Sequence, residues 1–263
     1  MAYETIDLVV RDGVAHLTLN RPSAANSITV ELARDLMYAT LQCDEDPSVR
    51  AVLLSGAGRM FCGGGDLKTF AGKGAELPHY LKDVTTYLHA AVSRLTRMDA
   101  PVIAAVHGSA AGAGMSLACA ADIVLAAESA KFTMAYTRAG LTPDGSSTYF
   151  LPRIVGLRRA LDLALTSRVL SAAEAVTLGI ATRTVPDAQL LDEARALAAE
   201  FAAGPTQAFG ATKRLLHAGW SGTLETQMEL ETRTIADVAR GHDAREGIAA
   251  FTEKRAPKFT GAK

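Results

Sequence analysis

Between residues 5 and 185, short strand-like segments alternate with amphipathic helices, and no other feature of this chain narrows its possible folds as far. Residues 5–10 and 14–19 read as two strands around Arg11-Asp12-Gly13, an Asp-Gly hairpin signal. Leu32, Leu36, Met37 and Leu41 recur at helical spacing, which predicts a helix over 29–43. Ala51 to Ser55 is a short apolar strand running into Gly56-Ala57-Gly58. A second helix is predicted over 81–98, with Val84, Leu88, Val92 and Leu95 on one face and Pro101 as its stop. Val102–Val106 and Ile123–Ala126 read as buried strands, and Lys131–Thr133 as a further short one. This order predicts an α/β fold.

Near residue 188 the pattern becomes wholly helical, with segments at 189–203, 206–217, 222–238 and 243–252 separated by Gly204-Pro205 and by Gly219 with Ser221-Gly222. The expected organisation is an α/β body over 1–188 with a helical region over 189–263. At 263 residues, 49% hydrophobic and 21% charged, the chain has enough apolar mass for one large core.

The 27 Lys and Arg residues are balanced by 28 Asp and Glu, so no basic excess points to nucleic acid or an anionic membrane. An anionic ligand must be met by local groups. Cys43, Cys62 and Cys119 lie far apart in no metal-ligand spacing, and the N-terminus carries no basic-then-apolar leader. Together these predict reduced thiols in a cytoplasmic protein. Apolar runs are too short for a membrane span. His16, His79, His107, His217 and His242 are scattered, and no metal site is expected.

Two stretches concentrate the chemistry: Phe61-Cys62-Gly63-Gly64-Gly65-Asp66-Leu67, beyond one buried strand, and His107-Gly108-Ser109-Ala110-Ala111-Gly112-Ala113-Gly114, between another strand and a helix. Glycine lets backbone N–H groups face a ligand with no side chain in the way. A helix start adds partial positive charge. Two converging donors of this kind suit an enolate or thioester oxyanion. Either stretch alone is equally compatible with a tight, closely packed turn, and neither spells a nucleotide-binding fingerprint.

Taken together the motifs resemble those of the crotonase (enoyl-CoA hydratase/isomerase) superfamily. Asn20-Arg21-Pro22-Ser23-Ala24-Ala25-Asn26-Ser27 is similar to the family's opening motif, Phe61–Leu67 to its first oxyanion loop, and Ala104 through Leu117 with Asp122-Ile123 to its second. The tail from Glu246-Gly247 to Phe259-Thr260-Gly261 is similar to the isomerase-like branch. The resemblance implies a crotonase spiral of ββα units that binds an acyl-CoA thioester, with no cofactor beyond the coenzyme A carried by the substrate. It also implies a C-terminal helical trimerisation region, giving a homotrimer or a dimer of trimers. It assigns the oxyanion donors to the backbone N–H groups of Gly65 and Ala113, the latter standing where the family usually has glycine. Substrate and CoA contacts are expected at Ser23, Ala24, Asn26, Gly63, Gly64, Asp66, Leu67, Gly112 and Tyr136.

Hydratases of the family use two glutamates, and the matching positions here are Ser116 and Tyr136. Neither can act as the general base that activates water at neutral pH. What remains is Asp144, in Gly140-Leu141-Thr142-Pro143-Asp144-Gly145, which resembles a segment of the ring-opening isomerases of phenylacetate degradation. Read from the residues alone, the same stretch is ordinary turn chemistry. The resemblance implies an isomerase in which one carboxylate removes a proton α to the thioester and returns it to the γ carbon. Desolvation in an apolar pocket is expected to raise its pKa.

His89, on the flank of the apolar face of helix 81–98, is the second catalytic candidate, with a boundary or core histidine as its plainer reading. A branch that dehalogenates 4-chlorobenzoyl-CoA has counterparts of both His89 and Asp144, which keeps a nucleophilic Asp144 as the alternative. Hydration by a non-standard site and RNA binding, known in some crotonase-fold proteins, are remoter expectations. Lys213-Arg214 and Lys254-Arg255 are candidates for CoA phosphates, although solvated helix faces account for such pairs as well.

Overall fold

The computed structural model describes residues 3–261. Strands β1 (Ile6–Arg11) and β2 (Val14–Leu19) form the expected antiparallel hairpin, followed by α1 (Val30–Glu45) and β3 (Ala51–Gly56). A short α2 (Leu67–Ala71) leads into the long α3 (Leu77–Arg97), then β4 (Val102–Val106), β5 (Ser109–Ala111) and α4 (Ala113–Ala120). Next come β6 (Ile123–Ala127), β7 (Lys131–Thr133), α5 (Ser147–Val155), α6 (Leu157–Thr166), β8 (Leu170–Ser171), α7 (Ala172–Thr177) and β9 (Arg183–Val185). The chain ends in α8 (Leu190–Ala202), α9 (Thr206–Ala218), α10 (Leu224–Val238) and α11 (His242–Thr252).

Six strands make the main sheet in the order β1-β2-β3-β4-β6-β9, parallel from β2 onward. Every residue of β4, and all of β3 up to Gly56, is buried, which is why these strands read as continuous apolar runs. Helices α1 and α3 pack on each other. A second sheet, β5-β7-β8, stands apart from the first. Its β5 lies inside the stretch read from sequence as a plain turn. Three residues are too few to show any alternation, so only pairing with β7 defines the strand.

The helical region begins where expected, but α8 lies on the main sheet, against β2, β3, β4 and β6, with Leu190, Ala194, Ala198 and Ala202 buried. The core therefore runs through α8. The remaining helices are tied to it by aromatic contacts, such as Phe209 on Phe201, and by polar ones. Arg50 donates to Thr206 Oγ1 and to the carbonyls of Gly204 and Phe259, and Asp243 accepts the N–H groups of Thr260 and Gly261. Helix α10 buries no residue.

Candidate active site

The ends of β3 and β4 deliver the two glycine-rich loops, at the carboxyl edge where open parallel sheets hold ligands. A backbone zipper fastens one loop to the other. Phe61 N–H donates to the His107 carbonyl (3.0 Å), Cys62 N–H to that of Ser109 (3.1 Å) and Ala111 N–H to that of Cys62 (2.9 Å). The approach is too close for side chains. A Cβ on Gly114 would lie 2.4 Å from the Cys62 carbonyl oxygen; one on Gly64 would lie 2.7 Å from that of Ala111, at a φ of +93°.

In this geometry the N–H groups of Gly65 and Ala113 have no hydrogen-bond acceptor among the described residues. Gly65 is flanked by the pair Ile28 N–H to Gly64 carbonyl (2.7 Å) and Asp66 N–H to Ile28 carbonyl (3.0 Å), which leaves its own N–H outside the ladder. Ala113 opens α4, where an unpaired N–H and the helix's partial positive charge coincide. Both residues line a cavity of about 260 Å³ with Gly63, Gly64, Gly112, Tyr136 and Asp144. Two free donors over a shared cavity can stabilise an oxyanion.

The rest of the wall is mostly apolar. Leu81, Val84, Thr85 and Leu88 present one stripe of α3, and Ile28, Leu67, Phe70 and Leu141 complete it. The sequence placed Val84 and Leu88 on one helix face with Val92 and Leu95. Val84, Leu88, Val92 and Leu95 are all buried in the core, and the N-terminal pair also lines the cavity. Lys82, also on the wall, had no signal in the sequence beyond its place next to that stripe.

Asp144 is the one acid lining the cavity among the described residues. Its carboxylate caps no helix; Ser146 holds the N-cap position of α5 and makes no side-chain cap bond. Instead Asp144 Oδ1 accepts the Tyr136 hydroxyl, and its carbonyl accepts from Ser147 N–H (3.1 Å) and Ser147 Oγ (2.8 Å). Burial pushes the carboxyl above the usual carboxylate range, opposed by the Tyr136 hydrogen bond and the nearby imidazole of His89. Burial also raises the Tyr136 phenol, and the charge and hydrogen bond of Asp144 push it the same way. Ser116 is fully buried, 3.0 Å from the Tyr136 hydroxyl.

Several expected contacts fall elsewhere. His89 does not line the cavity: it is exposed on α3, and its Nε2 accepts the N–H of Gly145 at 3.2 Å. That bond uses the lone pair a base would need. Asn26 is wholly buried, with Oδ1 on the Arg21 N–H (2.8 Å) and Nδ2 donating to the carbonyls of Ala57, Met60 and Phe61. Its amide has nothing left for a ligand; it holds the loop that precedes Phe61. Asp66 caps α2 through Thr69 N–H and pairs with Arg21 at 3.1 Å, and those bonds hold its carboxyl low despite burial. Ser23 and Ala24 form a 3-10 turn beside Ala25, whose carbonyl accepts the Gly63 N–H at 2.8 Å. Lys213 is not on a solvated face. It is buried, 2.6 Å from Asp122, and donates to the carbonyls of Leu95 and Ala100, so it cannot reach a phosphate. Arg214 pairs with Asp99, and Arg255 with Glu246 and Glu253.

Residues 10–262 match the enoyl-CoA hydratase/isomerase family. The chain belongs to this family. It is 42% identical to a "Probable enoyl-CoA hydratase" of Rhodobacter capsulatus, over 99% of this chain and 100% of that one. It is also 42% identical to the "1,2-epoxyphenylacetyl-CoA isomerase" of Escherichia coli, over 96% and 97%. The crystal structure of an enoyl-CoA hydratase from Polaromonas sp. JS666 superposes with a TM-score of 0.92 at 32% identity, covering 97% of this chain and 99% of that one. The fold is thus the crotonase fold, and the protein is an enzyme of the enoyl-CoA hydratase/isomerase family. Within this crotonase the zipped loops, the two free N–H groups and Asp144 converge on one cavity.

Proposed function

We propose that the protein is an acyl-CoA isomerase that moves a double bond by a 1,3-proton shift, on an enoyl-CoA or on the ring-opened form of a ring-epoxide CoA thioester. The observation that carries this reading is that, among the described residues, Asp144 is the one acid on the cavity wall. The N–H groups of Gly65 and Ala113 hold the thioester oxygen as negative charge develops there. Asp144 takes the proton from the α carbon, giving a dienolate, and returns it to the γ carbon. Burial above the ordinary carboxylate range brings the carboxyl nearer to the condition in which taking and releasing a proton are both easy. Addition of water by the two-carboxylate route lacks its second carboxylate, since Ser116 and Tyr136 are neutral. A nucleophilic Asp144 needs a base for the hydrolytic step, and the Nε2 of His89 is occupied by Gly145. The exposed apolar residues of α9–α11 support assembly into a homotrimer or a dimer of trimers.

A panel of CoA thioesters, including unsaturated, ring-epoxide and halobenzoyl members, tests the reading in deuterated water by mass spectrometry. Isomerisation gives a product of unchanged composition that carries deuterium at carbon. Net gain of water, or halide loss with an aryl ester on the Asp144 peptide, would contradict it.

A further inference from the structure

Beside the single carboxylate lie two hydroxyls that the proposed reaction does not itself require. Tyr136 and Ser116 are 3.0 Å apart, and Tyr136 also reaches Asp144 Oδ1. We propose that Ser116, Tyr136 and Asp144 form a one-way hydrogen-bond chain in which Tyr136 is a positioning residue that leaves Asp144 Oδ2 as the oxygen that exchanges protons with substrate. The inference rests on the isomerase reading for what Oδ2 does, but not for the chain itself.

Each hydroxyl has one proton to give. That of Tyr136 goes to Asp144 Oδ1. The 3.0 Å contact between the two hydroxyls then needs the proton of Ser116, or two lone pairs would face each other in a buried place. Ser116 has two other acceptors in reach, the carbonyls of Asp144 (3.0 Å) and Gly112 (3.3 Å). Both are already served. The Asp144 carbonyl receives the N–H and the hydroxyl of Ser147, and the Gly112 carbonyl receives the N–H of Ser116 itself at 3.1 Å. Only the Tyr136 oxygen would be left without a donor, so the chain runs Ser116 to Tyr136 to Oδ1. Oδ2 has no hydrogen-bond partner among the described residues, and Asp144 lines the cavity.

The phenol, raised by burial, stays protonated and acts as a fixed donor to the carboxylate. It favours the charged form and so offsets part of the burial that pushes the carboxyl up. The ionisable groups acting on Asp144 are Tyr136, from the turn after β7, and His89, from α3; Lys82 of α3 stands on the same cavity wall, while Ser116 of α4 and Ser147 of α5 are neutral. Removing the phenol hydroxyl withdraws a donor from the charged form. The carboxyl then titrates higher, and any activity that needs it ionised loses its acid limb at a higher pH.

The test is a carboxyl titration followed by infrared difference spectroscopy, with Asp144→Asn as the blank. Tyr136→Phe should raise the Asp144 midpoint by about one pH unit or more, since a hydrogen bond to a charged group is worth that much. Ser116→Ala should raise it by less, and the double variant no further than Tyr136→Phe alone. The acid limb of kcat should move with the midpoint, while KM changes little. An unmoved or lowered midpoint in Tyr136→Phe overturns the chain, as does a Ser116→Ala shift equal to that of Tyr136→Phe. Should Tyr136→Phe not fold, an unmoved midpoint in Ser116→Ala overturns the chain and a small upward shift supports it. Because the infrared band is read without turnover, it judges the chain even if Asp144→Asn retains activity, an outcome that would defeat the isomerase reading instead.

Discussion

At Gly65 the missing side chain matters for a reason that the sequence did not suggest. A Cβ there would point at the ring of Phe70, 2.7 Å from its Cε2, not at the space over the free N–H. Gly65→Ala should therefore push Phe70 into the cavity and tilt the donor, lowering kcat/KM by about 10²–10³-fold, the scale of one lost oxyanion donor. Adding Phe70→Leu should recover part of the loss, measured by steady-state kinetics with matched melting curves. A single variant with unchanged turnover, or no recovery in the double, would contradict this placement. At this scale the sequence pointed to several positions that the fold brings together. The glycines of both loops, Tyr136 and Asp144 stand on the cavity, because motif order marks positions whose backbone or carboxylate is used directly. Asn26, Asp66 and His89 were misread as ligand contacts or base. Asn26 and His89 bond to backbone atoms distant in sequence, which no local pattern announces, whereas Asp66 is engaged by a local helix cap at Thr69 and by the distant Arg21.

At the scale of elements, α9 is joined to the body by a buried charge pair as well as by aromatic contacts of Phe209 with Phe201 and of His217 with Phe150. Lys213 reaches inward to Asp122, at the start of β6, and to two carbonyls around the end of α3. Burial disfavours both charged forms, lowering Lys213 and raising Asp122, so each depends on the other. Lys213→Met should strand the Asp122 carboxylate and destabilise the fold by about 3–5 kcal/mol. Urea unfolding measures this, and a loss below about 1 kcal/mol would place the pair among weak surface contacts. Strands β1 to β4 and β6, helices α1 and α3 and the C-terminal helices were readable to within a few residues, since each carries one apolar stripe or two apolar faces, whereas α2, α5, α6, α7 and β9 were not singled out. Of the sheet β5-β7-β8 only β7 was read; β5 and β8, of three and two residues, are defined by pairing alone.

For the whole molecule, the described chain leaves large apolar side chains uncovered along its last three helices. Phe251 is 85% exposed, Ile235 72% and Leu224 69%. Scattered apolar residues are ordinary on a surface, but here they share a terminal region that holds few core residues of its own. The account expects a homotrimer or dimer of trimers, and a monomeric mass by light scattering at micromolar concentration would contradict it. Its central claim, however, is that the crotonase body brings one carboxylate and two free N–H groups to a single apolar cavity for proton transfer. Asp144→Asn tests this most directly. Asparagine is nearly isosteric and still accepts from Tyr136, so the fold and CoA-ester binding should persist. The measurement is exchange of substrate carbon-bound protons with deuterated water, followed by mass spectrometry alongside the isomerisation rate. Wild type should wash deuterium into the acyl chain, and Asp144→Asn should bind the thioester while losing both exchange and isomerisation by at least about 10²-fold. Exchange that persists in a folded Asp144→Asn protein would contradict the account.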